Sequence, residues 1–284
     1  MPAKIIDGKK VAEKIYKKLN DDIFDLNEQL IEPGLAIVQV GNDPASEVYV
    51  GKKIEKAKEL GLFAKRVPMT ASVSFEQVAE AIKKLNEDDT IHGMIVQMPL
   101  PKQLDPVKVM ELINPEKDVD GFSSINQGRL FAGNPYFIPA TPKGIIELIK
   151  STGTKVAGKN VVVVGRSNIV GKPIAMLLLQ EDATVTICHS KTKNLSEVTS
   201  KADILISAVG KPRLIKENMV KKGAIVIDVG TTKVKGKLQG DVDFEKVKKR
   251  ASWITPVPGG VGPMTIASLM QNTVMAAKRK HGLK

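Results

Sequence analysis

The sequence predicts an α/β protein of two domains, each built on a parallel sheet. Three observations carry this. Short apolar runs alternate with helical patterns along the chain, as in strand-helix-strand units. Several runs are continuous rather than alternating, as expected of strands buried on both faces. The alternation also breaks once, over residues 99–139, and then resumes.

In the first half, Asp7 is placed to cap a helix whose apolar residues Val11, Ile15, Leu19, Ile23, Leu26 and Leu30 recur every three to four positions. Pro33-Gly34 ends that pattern. Strands are expected at 35–40, 63–69 and 91–98, with helices at about 45–60 and 74–86 between them. Residues 99–139 carry prolines at 99, 101, 106, 115, 135 and 139 and read as an irregular functional or linking stretch. Thr141-Pro142 then starts a helix, with threonine at the cap and proline in the first turn, that stops near Gly153. Strands follow at 161–164, 184–188, 204–209 and 224–229, with helices between. The chain closes with Pro258-Gly259-Gly260-Val261-Gly262-Pro263 and a helix to about Lys278. The second domain begins near residue 141, and the last helix is free to return to the first.

Composition narrows the function classes. An apolar fraction of 42% and a charged fraction of 26% over 284 residues are ordinary for a soluble globular protein. No apolar run reaches the roughly 18 residues of a membrane span, and the N-terminus lacks a signal peptide's apolar core. A cytoplasmic protein with no membrane partner is expected. The single cysteine, Cys188, excludes an internal disulfide and a Cys-clustered zinc site. With three histidines, His92, His189 and His281, no metal is expected. The net charge of +12 suits either nucleic acid or small polyanions. Aromatics at 4% are too few for a base-stacking platform, and the densest lysine clusters lie on helical patterns, so no nucleic-acid partner is expected.

Four β-branched residues at 161–164 lead into Gly165-Arg166-Ser167-Asn168-Ile169-Val170-Gly171, and Pro173 opens a helix. Gly165 permits a tight turn, Gly171 permits a close approach, and the free N–H groups of the new helix favour a phosphate. This predicts a Rossmann-like doubly wound sheet that holds a nicotinamide dinucleotide. The spacing differs from G-x-G-x-x-G, and a purely structural turn is the competing reading. The next strand ends in Cys188-His189-Ser190-Lys191-Thr192-Lys193, with no carboxylate for a ribose 2′-hydroxyl. A hydroxyl among cations, with Arg166 in reach, suits a 2′-phosphate, so NADP is expected over NAD. Gly210-Lys211-Pro212 and Gly230-Thr231-Thr232 follow later strands at the same end of the sheet.

In the first half, Tyr49 and Lys53 stand at i, i+4 on one helix face. Gln97 ends a strand. Lys117-Asp118-Val119-Asp120-Gly121 sets two carboxylates beside a glycine, which suits a turn or, in principle, Mg²⁺. Tyr-x-x-x-Lys is also the pair of short-chain dehydrogenases. There the glycine turn opens the chain, whereas here Tyr49 precedes Gly165 by more than a hundred residues.

Taken together, Ser46-Glu47-Val48-Tyr49 with Lys53, Gln97-Met98-Pro99-Leu100-Pro101, Asp118-Val119-Asp120-Gly121, Pro139-x-Thr141-Pro142-x-Gly144, the Gly165 to Pro173 run, Asp228-Val229-Gly230 and the stretch from Pro256 to Thr265 resemble one family over essentially the whole chain. That family is the bifunctional methylenetetrahydrofolate dehydrogenase/methenyltetrahydrofolate cyclohydrolases. One departure is Ala140, where the family often has cysteine. The resemblance implies a catalytic, folate-binding domain of residues 1–140 plus a terminal helix at about 264–284, an NADP-binding domain at 141–263, and an active-site cleft between them. It implies Lys53 as the central acid/base residue supported by Gln97, Tyr49 stacking on the folate rings and Asp120 binding the pterin. Pro258, Gly259 and Gly260 are implied on the tetrahydrofolate substrate, and Gly165, Arg166, Ser167, Ser190 and Thr231 on the cofactor. A homodimer is implied as well.

Overall fold

Apolar runs set between capping residues give the order of elements in the structure, a computed structural model that describes residues 2–283. The chain opens with β1 (Lys4–Ile5) and α1 (Gly8–Asn27), the latter capped by Asp7, whose Oδ1 accepts from Lys9 N at 3.0 Å and Lys10 N at 3.2 Å. Then come β2 (Gly34–Val40), α2 (Pro44–Glu59), β3 (Phe63–Met69), α3 (Phe75–Glu87) and β4 (Gly93–Gln97). Two short helices, α4 (Pro106–Met110) and α5 (Ser124–Phe131), and the helix α6 (Ala140–Ser151) follow. The second half runs β5 (Asn160–Val164), α7 (Gly171–Gln180), β6 (Thr184–Cys188), α8 (Leu195–Thr199), β7 (Ile204–Ser207) and β8 (Ile225–Asp228). It finishes with β9 (Thr232–Val234), β10 (Lys237–Gln239), α9 (Phe244–Val247), β11 (Trp253–Ile254) and α10 (Val261–Lys280).

These elements form two compact units. One comprises Ile15–Ala140 and the chain from Ile266 onward; the other comprises the segment through Lys14 and Thr141–Thr265. The first is built on a parallel sheet in the order β3-β2-β4. Strand β2 is buried throughout, and its alternate side chains serve two cores, as the pleat requires. Leu35 and Ile37 join Leu19, Ile23 and Leu26 of α1, Val50 of α2, and Leu269 and Met270 of α10. Ala36 and Val38 instead join Val78, Ile82 and Leu85 of α3.

The second unit holds a six-stranded parallel sheet in the order β1-β11-β8-β7-β5-β6, with a separate antiparallel hairpin, β9–β10. The chain passes from β5 to β6 on one side and then to β7 on the other. The crevice outside the carboxyl ends of β5 and β7 is therefore a topological switch point, where doubly wound sheets take ligands.

Four sequence expectations differ from what is found. The N-terminal segment through Lys14, expected with the first domain, belongs to the second unit, because β1 pairs with β11. Leu30 does not extend the apolar face of α1. The helix stops at Asn27, Ile31 N turns back to Leu26 O at 3.0 Å, and Leu30 takes φ 60° and lies 97% exposed. The proline-rich stretch is not wholly irregular, since Asp105 caps α4 with Pro106 in its first turn and Ser123 caps α5. Thr141 lies inside α6 rather than at its cap, and its hydroxyl is 2.9 Å from that of Thr265.

Candidate active site

Helix α2 is started by Asp43, whose Oδ2 accepts from Ser46 N at 2.8 Å, with Pro44 in the first turn. Ser46, Tyr49 and Lys53 then fall on one stripe of the helix. The buried Ser46 hydroxyl also lies 3.2 Å from Met98 O, which holds the start of α2 against the exit of β4. Two turns further on, Lys53 is 8% exposed, and its Nζ donates to Gln97 Oε1 at 2.9 Å. The glutamine amide is itself fixed, since Nε2 donates to Met98 O at 2.8 Å and so leaves Oε1 for the lysine. Tyr49 is half-buried one turn before Lys53.

The charges of this cluster are shifted toward each other's chemistry. Burial holds the Lys53 ammonium below its usual 10.5, and the negative charge of Asp120 partly restores it. Burial likewise pushes the Asp120 carboxyl up to about 6; Lys53 opposes that rise and Asp118 adds to it. A lysine that releases its proton more readily thus stands near a carboxyl able to hold one close to neutrality.

The Asp118 carboxylate is engaged within its own segment. It accepts from Phe122 N at 3.2 Å, Ser123 N at 2.8 Å and Asn126 Nδ2 at 2.9 Å, which fixes the turn that carries Asp120. Gly121 completes the turn at φ 66°, where a Cβ would come within 2.9 Å of Phe137 O. Among the described residues no group of three or more His, Cys, Asp or Glu side chains is placed to hold a metal ion.

The expected cofactor residues all lie at the carboxyl ends of the six-stranded sheet. Gly165 leaves β5 at φ 130°, and a Cβ there would lie 2.4 Å from Ala208 O. Gly171 opens α7, and a Cβ there would lie 2.3 Å from Gly165 O. Only glycines let the strand end, the helix start and the β7 exit come this close. Arg166 and Ser167 are exposed. The Ser167 hydroxyl accepts from Val170 N and Gly171 N, both at 3.2 Å, so it also orders the entry to α7.

Ser190, Lys191 and Lys193 are exposed on the turn after β6. That turn is tied down by the Thr192 hydroxyl, which accepts from His189 N at 2.8 Å, and by His189 Nδ1, which accepts from Lys191 N at 3.2 Å. Thr231 is exposed beyond β8. A cradle that a Cβ would fill, a helix N-terminus and a hydroxyl among cations fit a phosphorylated dinucleotide. Pro258, Gly259 and Gly260 fall in the same unit, beside the start of α1, where Gly8 N donates to Gly259 O at 2.9 Å.

Sequence reasoning passed over Asp241 and gave Asp228 no role. Both are buried: Asp228 closes β8 and Asp241 follows β10. In the sequence, Asp228 stands two residues before Gly230, in a motif that carried the resemblance but no role for the carboxylate, and Asp241 directly follows Gly240, a pairing that turns everywhere share.

Known proteins combine the same two halves in the same order. The catalytic-domain profile described as tetrahydrofolate dehydrogenase/cyclohydrolase matches residues 6–120, and the NAD(P)-binding-domain profile of the same description matches residues 139–281. The chain is 52% identical to the bifunctional protein FolD of Acetivibrio thermocellus over 100% of both chains. It is 53% identical to that of Geotalea daltonii, covering 98% of this chain and 100% of the relative. Among solved structures, the bifunctional FolD methylenetetrahydrofolate dehydrogenase/cyclohydrolase of Campylobacter jejuni superposes with a TM-score of 0.95 at 44% identity, covering 98% of this chain and 99% of that one. The Trypanosoma brucei methylenetetrahydrofolate dehydrogenase-cyclohydrolase, solved with NADP and an inhibitor, gives a TM-score of 0.95 at 40% identity over 99% of each chain. With both profiles matched in order and full-length relatives at half identity, the chain belongs to the tetrahydrofolate dehydrogenase/cyclohydrolase family.

Proposed function

We propose that this protein oxidises 5,10-methylenetetrahydrofolate to 5,10-methenyltetrahydrofolate with NADP and then hydrolyses the product to 10-formyltetrahydrofolate. The observation that carries the reading is the buried Lys53, aligned by Gln97 and set near Asp120, in a chain of this family. The unit of Ile15–Ala140 would take the folate, and the six-stranded unit the dinucleotide.

NADP, when bound, supplies the acceptor for the hydride that leaves the methylene carbon. The Gly165 turn and the start of α7 would hold its pyrophosphate, Ser190 and Arg166 its 2′-phosphate, and Thr231 would lie on the same rim. The protein's own groups then act on the methenyl cation. Water adds to its one-carbon centre and gives a proton to Lys53 Nζ, whose lowered basicity leaves it able to pass that proton on. The adduct's hydroxyl loses its proton as the bond from the one-carbon centre to N5 breaks, N5 gains a proton, and one proton goes to solvent overall. Gln97 Oε1 fixes the position of Nζ through this exchange. Tyr49 would stack on the folate rings, Asp120 would bind the pterin and favour its electron-poor state, and Pro258, Gly259 and Gly260 would contact the substrate.

Replacing Lys53 by alanine is expected to abolish the conversion of methenyl- to formyltetrahydrofolate while NADPH still binds, as read by fluorescence titration. Unchanged hydrolysis would overturn the assignment of Lys53. We further infer a cytoplasmic location from the composition and a homodimer from the sequence resemblance; a purely monomeric species in sedimentation at micromolar concentration would refute the dimer. Among the described residues no helix is long and apolar enough to cross a membrane.

A further inference from the structure

Asp241 is fully buried, and its carboxylate is used by a single turn. Oδ2 accepts from the Ser207 hydroxyl at 3.1 Å, Val209 N at 2.8 Å and Gly210 N at 3.3 Å, and Oδ1 accepts from Lys211 N at 2.8 Å. Ser207 ends β7, and residues 209–211 form the turn that leaves it. A buried carboxylate is costly unless donors replace its water. Here one hydroxyl and three backbone N–H groups do so, and the charge in turn dictates how the backbone curls around it.

That turn flanks the Gly165 turn. Ala208 N donates to Val164 O at 2.8 Å, and Ala208 O is the atom that forbids a side chain on Gly165. Asp241 is in turn placed by Asp228, whose Oδ1 accepts from Asp241 N at 2.9 Å and Gly230 N at 3.1 Å and whose Oδ2 accepts from Val242 N at 2.9 Å. Two glycines leave room for this grip. A Cβ on Gly230 would lie 2.2 Å from Asp241 Oδ1, and one on Gly240 would lie 1.9 Å from Asp228 Oδ2. Thr232 Oγ1 also donates to Gly210 O at 3.1 Å, so the turns after β7 and β8 are a single construction.

We propose that Asp241 is a positioning residue for NADP, acting through the turns at 209–211 and 230–232 to hold the rim of the dinucleotide crevice in one shape. The proposal rests on the cofactor reading given above. Its consequence is a split between the two activities, because dehydrogenation uses the dinucleotide and hydrolysis does not.

The test is Asp241→Asn, which leaves one acceptor oxygen for four donors and sets an amide N–H₂ against an N–H. The expected result is a KM for NADP raised about tenfold or more, a saturating dehydrogenase kcat within about threefold of wild type, and a cyclohydrolase rate within about twofold. Ser207→Ala, which removes one donor of the four, should raise the same KM by about two- to threefold. An unchanged KM for NADP in folded Asp241→Asn overturns the proposal, and so does an equal fall in both activities. If Asp241→Asn does not fold, Ser207→Ala decides alone, and an unchanged KM there overturns it. Wild-type protein assayed alongside separates the two levels: absence of NADP-dependent oxidation would defeat the cofactor reading, whereas wild-type activity with an unmoved variant defeats only the role of Asp241.

Discussion

Replacing Asp120 by asparagine should make the protein more stable at pH 8 while weakening its hold on folate. The carboxyl is raised from its ordinary 3.8 to about 6, chiefly by burial, with Asp118 adding and Lys53 subtracting. A folded-state value above the unfolded one means that ionising the group costs the fold. The rise corresponds to about 3 kcal/mol for a wholly dry carboxyl, and the part of Asp120 open to solvent brings this to about 2 kcal/mol. Below pH 3.8 the carboxyl is neutral in both states, and aspartate and asparagine should be equivalent. As pH rises through about 6 the wild type loses this stability, and the gap to the variant is full above that. Thermal unfolding at pH 8 should show a Tm higher by about 4 °C or more in Asp120→Asn. A paired scan near pH 4 should show the difference shrinking toward zero. A variant with equal or lower Tm at pH 8 would refute the reasoning, because it would mean that the fold stabilises the carboxylate form.

Three further outcomes are expected. Gly171→Ala, with its Cβ 2.3 Å from Gly165 O, should weaken NADPH by about tenfold or more in fluorescence titration while cyclohydrolase activity persists. Ser190→Asp, setting a like charge against the 2′-phosphate, should cut the NADP-to-NAD ratio of kcat/KM by about a hundredfold, and an unaltered ratio would remove Ser190 from the cofactor site. Gln97→Ala takes away the acceptor of the Lys53 ammonium and so disfavours its charged form. The acid limb of the cyclohydrolase pH profile should therefore move to lower pH, and movement to higher pH would contradict the role given to Gln97.

The strand-helix alternation was legible because strands buried on both faces leave unbroken apolar runs, and β5, with Val161, Val162, Val163 and Val164 all buried, is the clearest. The sequence could not reveal β1. It is two residues long, both exposed, and its partner β11 lies near the other end of the chain. Pro106 misled in a different way, since proline as a breaker and proline as the first residue of a helix look alike until the cap at Asp105 is seen. At the site, the i, i+4 spacing of Tyr49 and Lys53 was visible, but the bond from Lys53 to Gln97 spans 44 positions and depends on where β4 ends. Ser167 is expected at the cofactor, and its hydroxyl also accepts two backbone N–H groups of its own turn, a structural role that the motif alone does not show.

The pairing of Lys4 with Trp253 has a consequence in time. On a ribosome that adds 5–20 residues per second, β1 emerges roughly 12–50 s before the strand it must join. The unit of Ile15–Ala140 waits as well, because Leu269, Met270 and Val274 of α10 complete its core and are made only after Thr141–Thr265 of the other unit. Neither unit can finish before synthesis reaches α10. A premature stop just after Thr265 would accordingly damage the unit made first, by leaving Leu26, Leu35 and Ile37 without their covering helix.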